Sequence, residues 1–306
     1  MEEKIEGLKE YYKKVCSPLI FVNETKLEND KIAKVYLYDF STEQELENFK
    51  KVFQEYLPFY VMNFDVISLY DLEKDISQQL KNDAKYIYKS DIIPNRKTRS
   101  NGIFGELFND YYIKNIINKE IFLTYLSRRT YNSGNWENQG IDIVACEEIN
   151  NKLNIILSEA KFVGSLFRAK EDLKGDISGE HEHLNKEYIN GYMDFVINRQ
   201  FGLDKVRSEE VQNLINKFNA KRWKEKLEFI DCINKLGYSC KFVYFAIFKQ
   251  SRDRNIKDFK ESISEIVNEF NNKIKRTEIE NYSIEVVFIP TFNTSMDLKN
   301  KMEEWD

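Results

Sequence analysis

Gln139-Gly140-Ile141-Asp142-Ile143-Val144-Ala145, followed by Leu157-Ser158-Glu159-Ala160-Lys161-Phe162, decides how this chain is read. Both segments are short apolar runs with β-branched residues, the pattern of buried strands. Each carries charge where charge is costly, because an acid in an apolar strand is stable only with a partner. Asp142 stands near the start of the first run, and Glu159 and Lys161 stand near the end of the second. Side chains alternate along a strand, so Glu159 and Lys161 share one face while Ala160 and Phe162 share the other. If the runs pair as a hairpin through the loop at 148–152, Asp142 faces Glu159 across the ladder at roughly 5 Å.

Two adjacent carboxylates repel, and a divalent cation between them relieves the repulsion. Mg²⁺ suits hard carboxylate oxygens and keeps several waters, which leaves room for a phosphate. Such an ion lowers the pKa of a bound water, and a nearby lysine adds fixed positive charge. These residues therefore point to metal-assisted hydrolysis of a phosphodiester, with Mg²⁺ or Mn²⁺ as cofactor. Upstream, Glu106 is the only acid in Phe104-Gly105-Glu106-Leu107-Phe108, on a helix expected over 103–118. Gly105 beside it leaves room for another backbone to approach. Glu106 is the fourth candidate.

Outward from this centre, strands are expected at 121–128, 141–147 and 153–162. Helical sequence follows through much of 167–201 and 209–236, then a buried strand at 241–249, a helix at 258–273 and a strand at 284–289. Before residue 96 the pattern is also α/β. It comprises a helix at 3–15, strands at 18–22 and 33–40, a helix after Ser41, a strand at 60–70 and a mostly helical return at 71–89. Ser41 with Gln44, or Thr42 with Glu45, has capping-box spacing. The basic, turn-prone stretch 93–102 marks the expected division into an α/β N-terminal extension, 1–95, with a partner-binding or regulatory role, and a catalytic domain, 96–306.

Glu106, Gly140-Ile141-Asp142 and Glu159-Ala160-Lys161 in this order resemble the PD-(D/E)XK nucleases, whose core runs helix, three strands, helix, strand. The resemblance implies a mixed central sheet flanked by helices. It also implies that Glu106, Asp142, Glu159 and the Ala160 carbonyl bind metal while Lys161 positions the attacking water. Ile141 stands where that family usually has proline. A narrower resemblance, carried by GIFGELFNDYY, QGIDIV and SEAKFVGSLFRAKEDL, is to the effector nucleases of Hachiman anti-phage systems. It implies a DNA-cutting enzyme restrained by a helicase partner. A catalytically silent binding module and a stand-alone restriction-type endonuclease are the alternatives.

Net charge is −5 over 306 residues, which argues against binding nucleic acid by bulk charge alone. Local patches would have to serve. The candidates are Arg96, Lys97 and Arg99; Arg128 and Arg129; Arg168 and Lys170; and Lys221, Arg222, Lys224 and Lys226 around Trp223, itself expected to pack in the core. His181 and His183 read as part of a polar loop. Cys146 and Cys240 lie in apolar runs and are expected as buried free thiols. No GxxxxGK[ST] loop is present, so an ATP-using partner would be a separate chain. No apolar run is long enough for a membrane span or a signal peptide, so a cytoplasmic protein is expected. Monomer and homodimer are both open.

Overall fold

The computed structural model describes residues 21–26, 32–37, 43–62, 64–67, 70, 77–92, 100–114, 124–128, 141–169, 184–199, 209–249, 259–291, 300, 301, 303 and 304. A seven-stranded mixed sheet organises them, in the order β1-β2-β7-β6-β5-β4-β3. The strands are β1 (Phe21–Lys26), β2 (Ile32–Leu37), β3 (Thr124–Arg128), β4 (Ile143–Ile149), β5 (Lys152–Val163), β6 (Ser239–Lys249) and β7 (Tyr282–Thr291). From β3 to β5 the pairing is antiparallel, and from β5 through β6 and β7 to β2 it is parallel. Strand β1 closes the far side against β2, antiparallel. Residues before 96 therefore contribute two strands to the sheet that carries Asp142 and Glu159.

Helices cover both faces. On one lie α1 (Glu43–Val61), the short α2 (Phe64–Ile67), α3 (Ser77–Ile87) with a π-helical turn (Tyr88–Ile92), and α4 (Ser100–Tyr112). Phe53, Tyr56 and Leu57 of α1 and Phe104, Leu107 and Phe108 of α4 are buried there with Ala145, Ile156, Val243, Phe245 and Val287. On the other lie α5 (Lys186–Arg199), α6 (Glu209–Glu225), α7 (Phe229–Leu236) and α8 (Phe259–Lys275). Their apolar stripes pack on Val144, Ile155, Leu157, Phe242, Tyr244 and Val286. Strands buried on both sides read as near-continuous apolar runs, as Phe242–Phe248 does.

Two turns fix the parts that matter for the site. Asn150 and Asn151 take φ of 53° and 60°, the left-handed pair of a two-residue hairpin that matches strand twist. Ile149 pairs Lys152 beside this turn, and the ladder runs back to Ile143 opposite Ser158. Gly237, at φ 61°, ends α7, and its amide bonds to the Asn234 carbonyl at 3.0 Å before β6 begins.

The strand expected at 60–70 does not form. Tyr60 and Val61 complete α1, and Phe64–Ile67 is helical. The segment is rich in strand-forming residues, but Phe53, Tyr56, Leu57 and Tyr60 recur at helical spacing, and the first three are buried against α4. Pro58 inside α1 does not stop the helix, since its carbonyl still accepts the Met62 amide at 2.9 Å. The reading of Trp223 as a core residue is also overturned. It is 67% exposed on α6, whose buried side carries Val211, Phe218, Asn219 and Arg222 instead. The helix expected at 3–15, the residues of 93–99, and His181 and His183 lie outside the described residues. Cys146, Cys232 and Cys240 are buried free thiols, as the apolar context of Cys146 and Cys240 predicts.

Candidate functional site

The register set at Asn150-Asn151 carries Asp142 to the level of Glu159, one step beyond the last ladder pair, Ile143 with Ser158. Here β4 bends away. The Ala160 amide, which faces that edge of β5, donates instead to the Asp142 carboxylate, 2.7 Å to Oδ2. Asp142 is buried at 2% exposure, so this charge-assisted bond lies in a low-dielectric setting where it is strong. N–H and C=O of one strand residue leave on the same edge, which turns the Ala160 carbonyl towards the Asp142 side as well.

Glu159 and Lys161 point to the face of Leu157 and Tyr244, opposite Phe162, as alternation requires. Lys161 Nζ is 3.9 Å from Glu159 Oε2, and both side chains are mostly buried. Glu159 pairs with Tyr244 and Lys161 with Ala246 on β6. The strand ends thus bring Asp142, Glu159, Ala160 and Lys161 together.

Glu106 reaches this strand from the other face. A methyl group on Gly105 would lie 3.3 Å from the Lys161 carbonyl carbon and 3.4 Å from the Phe162 amide, so α4 touches the β5 backbone where Lys161 sits. Phe104 and Phe162 pack with ring centroids 5.9 Å apart. Glu106 is 5% exposed, and the Tyr60 hydroxyl donates to its Oε2 at 3.3 Å. Among the described residues no three His, Cys, Asp or Glu side chains draw together tightly enough to hold a metal ion, so Glu106 does not form such a group with Asp142 and Glu159. The oxygen donors at the strand end, two carboxylates and the Ala160 carbonyl, have the hard chemistry that fits Mg²⁺ or Mn²⁺.

Three tyrosines at the site escape sequence reading. Tyr192 of α5 donates to the Ile141 carbonyl at 3.0 Å, next to Asp142, and its ring stacks on Tyr188 at 5.9 Å. Tyr60 reaches Glu106 from α1, and Tyr244 flanks Glu159. The i, i+4 spacing of Tyr188 and Tyr192 was the one local signal, and it is common to any amphipathic helix. Helix α5 is itself well tied. Its Asn190 accepts from the Ile230 amide at 3.0 Å and donates to Glu228 at 2.5 Å, and Asp194 pairs with Arg222.

Of the basic candidates, Arg128 ends β3 and pairs through its backbone with Ile143, and Arg168 is exposed just past β5. Arg96, Lys97, Arg99, Arg129 and Lys170 lie outside the described residues, Arg99 immediately before α4. Around Trp223 the cations are largely committed. Arg222 is buried on Asp194, and Lys221 pairs with Glu225 at 2.5 Å, leaving Lys224 and Lys226 exposed.

The mixed sheet with helices on both faces makes this a mixed α/β protein, an arrangement consistent with a nuclease-like core. A family model for HamA matches residues 13–305, nearly the entire chain, and the chain belongs to the HamA family. That membership makes it a component of Hachiman anti-phage defence. No curated protein matches it. Among the described residues no helix is long and apolar enough to cross a membrane.

Proposed function

We propose that the protein is a PD-(D/E)XK-type deoxyribonuclease that hydrolyses DNA phosphodiester bonds with Mg²⁺ or Mn²⁺. The observation that carries this reading is the 2.7 Å bond from the Ala160 amide to Asp142, beside the Glu159–Lys161 pair on the same strand end. It aligns a buried acid, a second acid and a lysine where the fold leaves no hydrophobic reason for them. Asp142, Glu159 and the Ala160 carbonyl would hold the ion, and Glu106, engaged by Tyr60 on the other face of the strand, lies outside that set. Once bound, the ion supplies a water of lowered pKa and charge neutralisation at phosphorus.

The chain's own groups do the rest. Lys161, held beside Glu159, donates a hydrogen bond to the attacking water oxygen and offsets negative charge as that oxygen bonds to phosphorus and the opposite P–O bond breaks. The attacking water gives up a proton to solvent, and the departing oxygen takes a proton from solvent. The Ala160 amide keeps the Asp142 carboxylate from rotating, so ligand geometry is set before substrate arrives. Family membership supports DNA as substrate and a separate helicase as the partner that restrains the activity.

Incubating the full-length protein, alone and with its helicase partner, with plasmid DNA and Mg²⁺ or Mn²⁺ tests the reading. Degradation to a smear is expected, lost in Glu159→Gln and Lys161→Ala while both variants keep the parent unfolding midpoint. Persistent cleavage by both variants removes the proposal. Defined fragments would favour a stand-alone restriction-type endonuclease. A catalytically silent docking module is the second reading, favoured by Glu106 engaging Tyr60 rather than a three-acid cluster. Absence of divalent-ion binding by calorimetry, with tight partner binding, would establish it.

A further inference from the structure

Just past the strand that carries Glu159 and Lys161, the chain makes one helical turn, 166–169. Ser165 starts it. Its Oγ accepts the Arg168 amide at 3.1 Å and its carbonyl accepts the Ala169 amide at 3.0 Å. Leu166 and Ala169 are buried in the core face that also holds Leu157 and Tyr244. The Tyr244 hydroxyl donates to the Ala169 carbonyl at 2.8 Å, and Tyr244 is the ladder partner of Glu159. The turn is therefore pinned on the face towards which Glu159 and Lys161 point.

From this anchored turn Phe167 projects at 70% exposure, with Arg168 exposed beside it. Most other large aromatic side chains are buried, Phe104, Phe245 and Phe288 among them; Tyr86 of α3 and Trp223 of α6 are similarly exposed but do not follow the strand that carries Glu159 and Lys161. Gly164, between strand end and turn, has open space around it, since an added methyl would meet nothing within 4 Å. An exposed aromatic ring on an anchored turn, with a guanidinium beside it and open space at Gly164, a few residues past the proposed catalytic strand end, matches what a nucleotide requires. The ring meets a base face and the cation meets a phosphate. A base inside a duplex already has both faces covered, so the ring can stack only on one that is unpaired or at an end.

We propose that Phe167 stacks on the nucleobase next to the scissile phosphate while Arg168 contacts the backbone, so that the site prefers DNA whose base at that position is unpaired. This rests on the nuclease reading above. Arg168 is one of the basic residues singled out from sequence, whereas Phe167 becomes visible only through its exposure and its anchored turn.

The test uses the full-length Lys161→Ala protein, which binds without cutting, and oligonucleotides carrying 2-aminopurine as single strand, as blunt duplex, or with an abasic site in its place. Single-strand binding with fluorescence quenching is expected. Phe167→Ala should weaken it about tenfold and abolish the quenching, and Phe167→Trp should restore both. On the abasic strand Phe167→Ala should bind like its parent. Arg168→Ala should weaken all three probes alike and flatten the salt dependence. Unchanged quenching in Phe167→Ala, or an equal loss on the abasic strand, overturns the proposal. So does loss of helicase co-purification with DNA binding intact, which would make Phe167 a protein contact. Plasmid cleavage by the otherwise unaltered enzyme separates these outcomes from failure of the nuclease reading. Phe167 is exposed, and an unchanged urea midpoint verifies that its variants fold.

Discussion

Replacing Gly105 and Gly191 with alanine, one at a time, separates helix propensity from packing at the site. Both glycines lie inside helices, α4 and α5, where alanine is favoured over glycine by about 1 kcal/mol. Around Gly191 a new methyl meets nothing within 4 Å, so the full gain should appear. At Gly105 the methyl would sit 3.3 Å from the Lys161 carbonyl carbon and 3.4 Å from the Phe162 amide, inside the roughly 3.5–4.0 Å preferred by carbon contacts. Those atoms belong to a strand paired with β6 and cannot swing aside as a flexible side chain would. Overpacking of this kind costs about 1–3 kcal/mol. Gly191→Ala should therefore raise the unfolding free energy by about 1 kcal/mol, and Gly105→Ala should range from no change to a loss of about 2 kcal/mol. Urea denaturation at constant slope reads the difference directly. Equal stabilisation by the two substitutions would refute the close approach of α4 to β5, and with it the placement of Glu106 beside the Lys161 backbone.

Removing the Tyr192 hydroxyl with Tyr192→Phe should leave stability within about 1 kcal/mol, the usual worth of one hydrogen bond. It should speed hydrogen exchange at the Ala160 amide, because the Ile141–Asp142 bend loses its tether. An unchanged exchange rate would show that the tyrosine does not position Asp142. Glu285 is buried on β7, where the Tyr112 hydroxyl donates to it at 2.9 Å and Lys241 Nζ lies 3.2 Å away. Glu285→Ala should cost about 3–5 kcal/mol in urea melts, and adding Lys241→Met should recover part of it, because the stranded charge goes. Burial pushes the Cys240 thiol from its ordinary 9.0 up to about 12. Below pH 9 both folded and unfolded thiols are protonated and that stability is fully present. As pH rises through 9 towards 12 only the unfolded thiol ionises, so stability should fall, and Cys240→Ala should show a shallower fall across that window. Native protein at pH 8 should resist alkylation at Cys146, Cys232 and Cys240, all of them buried.

The strand pair at the site was legible because its signals are local. Apolar runs bound the acids, and the hairpin loop at 148–152 proved to be the two-residue Asn150-Asn151 turn. Gly105 gave a fair warning of close backbone approach. What stayed hidden depends on distant partners. Tyr60–Tyr70 has strand composition, and only α4, some forty residues on, supplies the surface that makes its first residues helical. Trp223 looked like a core residue by type, yet the buried stripe of α6 passes through Phe218 and Arg222 instead. Tyr192 and Tyr60 reach the acids from helices whose approach no short-range pattern encodes. The parallel junction of β2 with β7 joins residues about 250 apart, beyond any local periodicity.

That junction bears on any attempt to work with a shortened chain. Strand β7 is covered on one side by β6 and on the other by β2, paired from Ala33 with Ile284 to Leu37 with Phe288. A fragment beginning near residue 96 would bare that ladder edge and, with α1 and α3 gone, the aromatic side of α4. An open edge beside an uncovered apolar face recruits further chains. Such a fragment should precipitate or form oligomers, and its silence in a cleavage assay would report aggregation rather than chemistry.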